Sequence, residues 1–134
     1  MTKKELAIAL HDKGYNCCQS VVCAFKDELG VDEATLFKAG EGFGFGMGNS
    51  NGTCGAISGA VMAAGFRNST ANFDGPKSKA DTYAICKKIL DAFEKKNGSL
   101  VCKDLKGIET GIVLRSCPGC IEDAVEIVQE ILGI

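Results

Sequence analysis

Along most of the chain, apolar residues recur at three- and four-residue intervals, the period of a helix with one buried face. Leu6 and Leu10 lie four apart in a first helix that Gly14 ends. Asn16 is placed to cap a second helix, with Gln19 at the capping-box position. There Cys18, Val22, Phe25 and Leu29 form one stripe, and Gly30 stops the helix. "VDEATLFKAG" predicts a short third helix from a cap at Asp32 to a terminator at Gly40.

The period then changes. From Gly40 to Gly52, glycine alternates with Phe43, Phe45 and Met47. Alternation imitates a strand, but glycine at every other position weakens one and favours close backbone approach. The segment therefore reads as an ordered loop pinned by three apolar anchors. A phosphate cradle is disfavoured, because the glycines fit no GxGxxG spacing and no Gly-Lys-Ser/Thr follows.

Helical spacing resumes with Thr53 as the predicted cap of a fourth helix running to about Arg67. Its Ala56, Gly59, Ala60, Ala63 and Ala64 make it slim enough for neighbours to approach closely. "FDGPKSKA" turns into a long fifth helix, where Ile85, Ile89 and Phe93 form a core stripe and Asn97-Gly98 is the end. Ser99 is expected to cap a short turn that holds Cys102 and closes at Gly107. "KGIETGIVL" reads as a loop or brief extended segment. Ser116 and Pro118 open a last helix with a broad apolar face through Ile121, Ala124, Val125, Val128, Ile131 and Leu132. Glu122, Asp123 and Glu126 are expected on its wet face. The fold class expected is all-α: residues 1–134 as a single helical, cysteine-rich domain, a compact bundle of about five to six helices with the glycine-rich loop before the small-residue helix.

Composition removes several functions and sharpens one. The formal charge is -2, which gives no electrostatic case for nucleic acid or an anionic membrane. No apolar run reaches the roughly 18 residues a membrane helix needs. The N-terminal apolar patch is broken by Glu5, His11 and Asp12, with no small-residue cleavage site, so the expected compartment is cytoplasmic. A chain of this length buries roughly two thirds of its unfolded surface. Its eight cysteines are then not needed as structural disulfides, and in a reducing compartment they point to metal binding or redox chemistry.

The caps and the thiols coincide. Cys17 follows Asn16, Cys54 follows Thr53, Cys117 follows Ser116, and Cys102 lies three residues after Ser99. Unpaired N–H groups and the helix dipole favour an anion at a helix start, and so favour thiolate over thiol. Cys18 and Cys86 read as core residues. Cys23, roughly opposite Cys18, reads as exposed or at a subunit contact. Cys117-Pro-Gly-Cys120 is a C-x-x-C at a helix start, a spacing shared by dithiol and metal sites. His11, the one histidine, reads as a surface residue.

These stretches together resemble the redox-active proteins named for the cysteine pattern C, GCAxxG, C, C. The resemblance rests on "GYNCCQSVVCAF" (Gly14 to Phe25), "GTCGAISGA" (Gly52 to Ala60), "SLVCKDLKG" (Ser99 to Gly107) and "SCPGCIEDAVEIVQEIL" (Ser116 to Leu132). Here the central signature reads Cys54-Gly55-Ala56, where the family's name reads Gly-Cys-Ala. The resemblance makes Cys17, Cys54, Cys102 and Cys117 the signature cysteines and implies a small helical protein with a redox role. A similar domain in split-Soret cytochromes is associated with an iron–sulfur cluster.

Three readings follow. In the first, Cys17, Cys54, Cys102 and Cys117 gather as metal ligands, for a 2Fe–2S iron-sulfur cluster ahead of zinc, in a protein that can also exist as the apo form. The glycine loop, with Gly52 and Gly55, would then offer backbone N–H groups to sulfur as a cofactor-binding element. In the second, no metal is used: Cys117 attacks and Cys120 or Cys54 resolves, so that Cys117 and Cys120 are the catalytic pair. In the third, the chain is a non-catalytic helical interaction module with incidental cysteines. The expected partner is a redox protein whose identity the sequence does not give, and the slim helix allows close packing in a homodimer.

Overall fold

The structure is a computed structural model covering residues 1–134. It is all-α, with eight right-handed helices: α1 (Lys3–Asp12), α2 (Cys17–Ala24), α3 (Lys26–Leu29), α4 (Glu33–Gly40), α5 (Gly55–Asn68), α6 (Lys79–Asn97), α7 (Cys102–Lys106) and α8 (Cys117–Leu132). The small-residue helix α5 is central, and α2, α6 and α8 all pack on it. Helix α1 closes the other side of α2 and α8. Gly59 explains how near α2 comes: a Cβ there would stand 2.8 Å from the Cys18 carbonyl oxygen. One core cluster of 23 buried residues runs through all these contacts, with Phe25, Ile57, Phe93 and Ile121 fully enclosed. No helix is long and apolar enough to cross a membrane.

The second helix is capped as expected: Asn16 Oδ1 accepts from Gln19 N and Gln19 Oε1 from Asn16 N, both at 2.9 Å. It does not run to Gly30. Phe25 leaves helical geometry at φ −104°, ψ 15°, and α3 starts afresh after it. The Ala24 carbonyl is occupied by Lys3 Nζ at 3.0 Å, so a lysine from α1 takes an acceptor at the break. That break and the separate short α7 bring the helix count above the expected number.

The glycine-rich segment departs furthest from its reading. Helix α4 ends at Gly40 as expected, and Glu41–Phe43 follow it as a 3-10 turn. Gly44–Gly48 then wind left-handed through Phe45 (φ 53°), Gly46 (φ 55°) and Met47 (φ 66°). Left-handed geometry costs a non-glycine residue about 1–2 kcal/mol. Cross-bonds from Ser50 N to Phe45 O (2.7 Å) and Gly52 N to Gly46 O (2.9 Å) hold it. Phe45 and Met47 are not buried anchors: they stand 48% and 56% exposed. Gly46 is needed on two counts, its positive φ and a would-be Cβ 2.5 Å from Cys102 Cβ.

Two predicted caps also move. Thr53 does not cap α5; it makes an isolated antiparallel bridge with Val101, and Cys54 becomes the N-cap residue. Ser99 Oγ accepts from Val101 N at 3.0 Å, forming a turn before α7 instead of capping it. At the last helix Ser116 Oγ accepts from Gly119 N at 3.1 Å, as predicted.

Candidate functional site

The bridge between Thr53 and Val101 lays two distant segments side by side. Cys54 N donates to Leu100 O at 2.8 Å, and Cys102 N donates to Gly52 O at 3.0 Å. This lacing carries Cys54 and Cys102 to one place. The packing of α2 and α8 against α5 brings Cys17 and Cys117 there as well.

The result is a cavity of about 20 Å³ lined by Cys17, Cys54, Cys102, Cys117 and Cys120, a volume suited to roughly one water molecule. Lys106 and Arg115 are its cationic lining residues, Phe45 and Leu105 its large apolar ones, and Gly55 is also part of the wall. All four signature cysteines are gathered. Cys120, which is not one of the four signature cysteines, joins them. Gly52 does not line the cavity; its carbonyl fixes Cys102 from behind. Cys18 lies outside, fully buried, its thiol 3.6 Å from the Met62 sulfur. Cys86 is half-buried against the core. Cys23 is 2% exposed, which corrects the expectation of a surface or subunit-contact position.

Electrostatically the pocket sulfurs act in two pairs, Cys17 with Cys117 and Cys54 with Cys120. All eight cysteines are free thiols. In each pair one sulfur takes the proton and one the charge. A hydrogen bond from Cys17 lowers Cys117 to about 5; burial opposes the shift, and the Lys106 ammonium supports it. Cys17 is pushed far up by that same bond and by burial. Across the pocket, Cys120 donates toward Cys54 and lowers its pKa, while Cys120 itself rises. Cys54 makes no side-chain capping hydrogen bond, yet the N–H groups of Ala56 and Ile57 favour its anion. Burial raises Cys102. Of the four helix-start thiols only Cys54 and Cys117 are favoured as thiolates, and only at Cys54 do helix-start N–H groups contribute. At Cys17 and Cys102, burial and the neighbouring sulfurs outweigh the helix dipole.

Lys106 is part of the same electrostatic unit. Burial disfavours its ammonium, but its bond to Cys117 and the charges of Cys117, Cys102 and Cys17 raise its pKa. Its Nζ also lies 4.9 Å from the centre of the Phe45 ring, within cation–π range. His11 is half-buried, with Nδ1 3.2 Å from Tyr15 O, and its charge adds a smaller push toward thiolate at Cys117. Lys106 lies within the Ser99 to Gly107 stretch, but no spacing ties it to Cys117; folding brings its ammonium to the cavity.

A second polar cluster braces the pocket. Asp123 was expected on the wet face of α8 but is 2% exposed. Its carboxylate accepts from Lys96 Nζ (2.6 Å), Asn97 Nδ2 (3.1 Å), Arg115 Nε (3.0 Å) and Arg115 Nη2 (3.2 Å). Burial opposes its charge, but these partners outweigh it and hold the carboxyl below its usual range. The backbone carbonyl of the same Arg115 lies 4.0 Å from Cys120 Sγ. The signal was present in the sequence: Asp123 falls three residues after Cys120 and four before Ile127, on the buried stripe.

Helices around a slim central helix, with thiols from four helix starts meeting in one pocket, define an all-α cysteine-rich protein with the parts for redox chemistry. Residues 15–131 match the family model described as "Putative redox-active protein (C_GCAxxG_C_C)", and the chain belongs to that family. No curated protein and no solved structure gives a significant match.

Proposed function

We propose that this chain is a thiol–disulfide redox protein that exchanges electrons with a partner's disulfide through Cys117. The observation that carries the reading is the half-buried Cys117 at the cavity, stabilised as thiolate by the Cys17 thiol and Lys106. The Cys117 thiolate attacks one sulfur of the partner disulfide. That S–S bond breaks, a Cys117–partner bond forms, and the leaving thiolate takes up a proton. Cys17, on losing its proton, attacks the Cys117 sulfur and releases the second partner thiol. One partner disulfide becomes two thiols while Cys17 and Cys117 become a disulfide, so two electrons move. The support for Cys17 as the resolving residue, rather than Cys120 or Cys54, is that it pairs with Cys117 directly. The test is turnover of a small disulfide, bis(2-hydroxyethyl) disulfide, supplied with a dithiol reductant. Cys117→Ser is expected to abolish turnover, and Cys17→Ser to accumulate the mixed disulfide. Unchanged turnover in Cys117→Ser would sink the reading.

A metal-bound form is the second reading, supported by the gathered thiols. The donor set fits in kind: five soft thiols in one pocket, two of them favoured as anions. No three cysteine, histidine or acidic side chains stand in an arrangement that holds a single ion. The cavity holds only about 20 Å³, so the side chains would have to part to admit a cluster. Cys17, Cys54 and Cys117 would hold a 2Fe–2S cluster, with Cys102 or Cys120 as the fourth ligand, and the cluster would supply one-electron transfer. Anaerobic reconstitution with iron and sulfide tests this by metal and sulfide content and visible absorption. A colourless, iron-free product removes it. Cys102→Ser compared with Cys120→Ser identifies the fourth ligand.

A further inference from the structure

Cys54 and Cys120 are 5% and 2% exposed, so no partner disulfide reaches them from solvent. Two paired thiols out of reach of any substrate need an internal donor or have no redox role. The structure supplies a route. Cys117 and Cys120 occupy the first turn of α8. Residues three apart are neighbours on a helix, and a C-x-x-C at a helix start can close a disulfide. Both line the same cavity as Cys17 and Cys54. The four thiols therefore stand around one cavity: Cys117 and Cys120 one helical turn apart, with Cys17 from the start of α2 and Cys54 from the start of α5 beside them.

We infer that the pocket is a disulfide relay, in which oxidation received at Cys17 and Cys117 is handed inward to Cys54 and Cys120 so that one molecule accepts oxidation from two substrate disulfides. The inference rests on the thiol–disulfide function proposed above. After the first exchange, the protein holds a Cys17–Cys117 disulfide. Cys120, on giving up its proton, attacks the Cys117 sulfur, forming Cys117–Cys120 and releasing Cys17 as a thiolate that takes up that proton. The Cys54 thiolate then attacks the Cys120 sulfur, forming Cys54–Cys120 and releasing Cys117 as thiolate. Each internal step makes one S–S bond and breaks one, with no net change in the electron count. Cys117 and Cys17 are free again, and a second substrate disulfide oxidises them. The inner pair keeps the first two electrons' worth of oxidation away from solvent until a dithiol reductant reverses the sequence.

The experiment is stoichiometric oxidation of the fully reduced, full-length chain with bis(2-hydroxyethyl) disulfide. It is followed by free-thiol titration and non-reducing peptide mapping. The expected result is loss of two thiols with each of two equivalents. Cys54–Cys120 should appear in the first equivalent as Cys17–Cys117 decays, and both disulfides should be present after the second. In Cys117→Ser the inner disulfide should form at least tenfold more slowly. In Cys54→Ala, uptake should stop after one disulfide. Two results overturn the relay: Cys17–Cys117 forms but Cys54–Cys120 never does, or the inner disulfide forms at an unchanged rate in Cys117→Ser. The wild-type mapping decides the first of these even if a variant fails to fold. Failure of Cys17–Cys117 to form at all is a separate outcome and refutes the underlying thiol–disulfide function together with the relay.

Discussion

Cys17 at the start of α2 pairs with Cys117 at the start of α8, and the two sulfurs share one proton. Neither helix start produces this alone. The Cys17 thiol donates to the anion, and Lys106 from α7 adds a positive charge. The arrangement makes Cys117 acidic and leaves Cys17 protonated.

The first consequence is a pH profile. With a value of about 5, Cys117 remains mostly thiolate at pH 6, where an ordinary thiol is almost wholly protonated. A thiolate of low pKa is also a weaker nucleophile, with a Brønsted coefficient of about 0.4–0.5, so the net advantage at pH 6 is roughly tenfold. Iodoacetamide labelling followed by peptide mapping should single out Cys117 at pH 6, with a midpoint near 5. The sign for stability follows the same logic. The folded value is depressed, so this thiolate contributes stability in full above the unfolded thiol range and loses it as pH falls toward 5.

Lys106→Met should move that midpoint upward. The substitution keeps much of the stem and removes the ammonium from Cys117 and from the Phe45 ring. An opposite charge at close range shifts a pKa by roughly one unit or more. The thiolate absorbance titration should therefore move by about that amount, and labelling at pH 6 should slow. An unchanged midpoint would show that Cys17 alone sets the acidity.

Asp123→Asn should destabilise the fold by about 2 kcal/mol in urea, less than a fully buried ion pair, because Lys96 and Arg115 are partly exposed. The stabilisation lost is the part that wild type shows above the ordinary carboxyl pKa. It fades as pH falls through the depressed folded value, so the gap between wild type and variant should close in acid.

Gly46→Ala and Gly48→Ala separate strain from crowding. Both glycines have positive φ, but a Cβ at Gly48 meets nothing within 4 Å, whereas one at Gly46 runs into Cys102. Gly48→Ala should cost about 1 kcal/mol, from backbone geometry alone. Gly46→Ala should cost about 1–3 kcal/mol more and should disturb Cys102 as well, visible as a changed labelling rate at that thiol. Equal losses would place the burden on the backbone.

The helices were legible because a period of 3.6 and a cap are local properties. Asn16 with Gln19, Ser116, and the Ile89–Phe93 stripe could be read from a few neighbouring residues each. The grouping of Cys17, Cys54, Cys102 and Cys117 followed from the family resemblance and from caps of which only Asn16 and Ser116 hold, since Thr53 and Ser99 cap no helix. The glycine segment misled because alternating glycine permits several backbones, and only its cross-bonds and the crowding at Cys102 select the left-handed one. Asp123 misled because a carboxylate signals solvent until its donors are known, and those come from α6 and the loop before α8.

By itself, then, the sequence determined an all-α chain and the thiols that open its helices, because propensity, capping and hydrophobic period act within a few residues of one another. Tertiary structure alone decided which sulfur pairs with which, that Cys120 is the partner of Cys54, and that Lys106 charges the site. Proton sharing and ion pairing depend on distances of a few ångströms between groups far apart in the chain, and no local pattern encodes those distances.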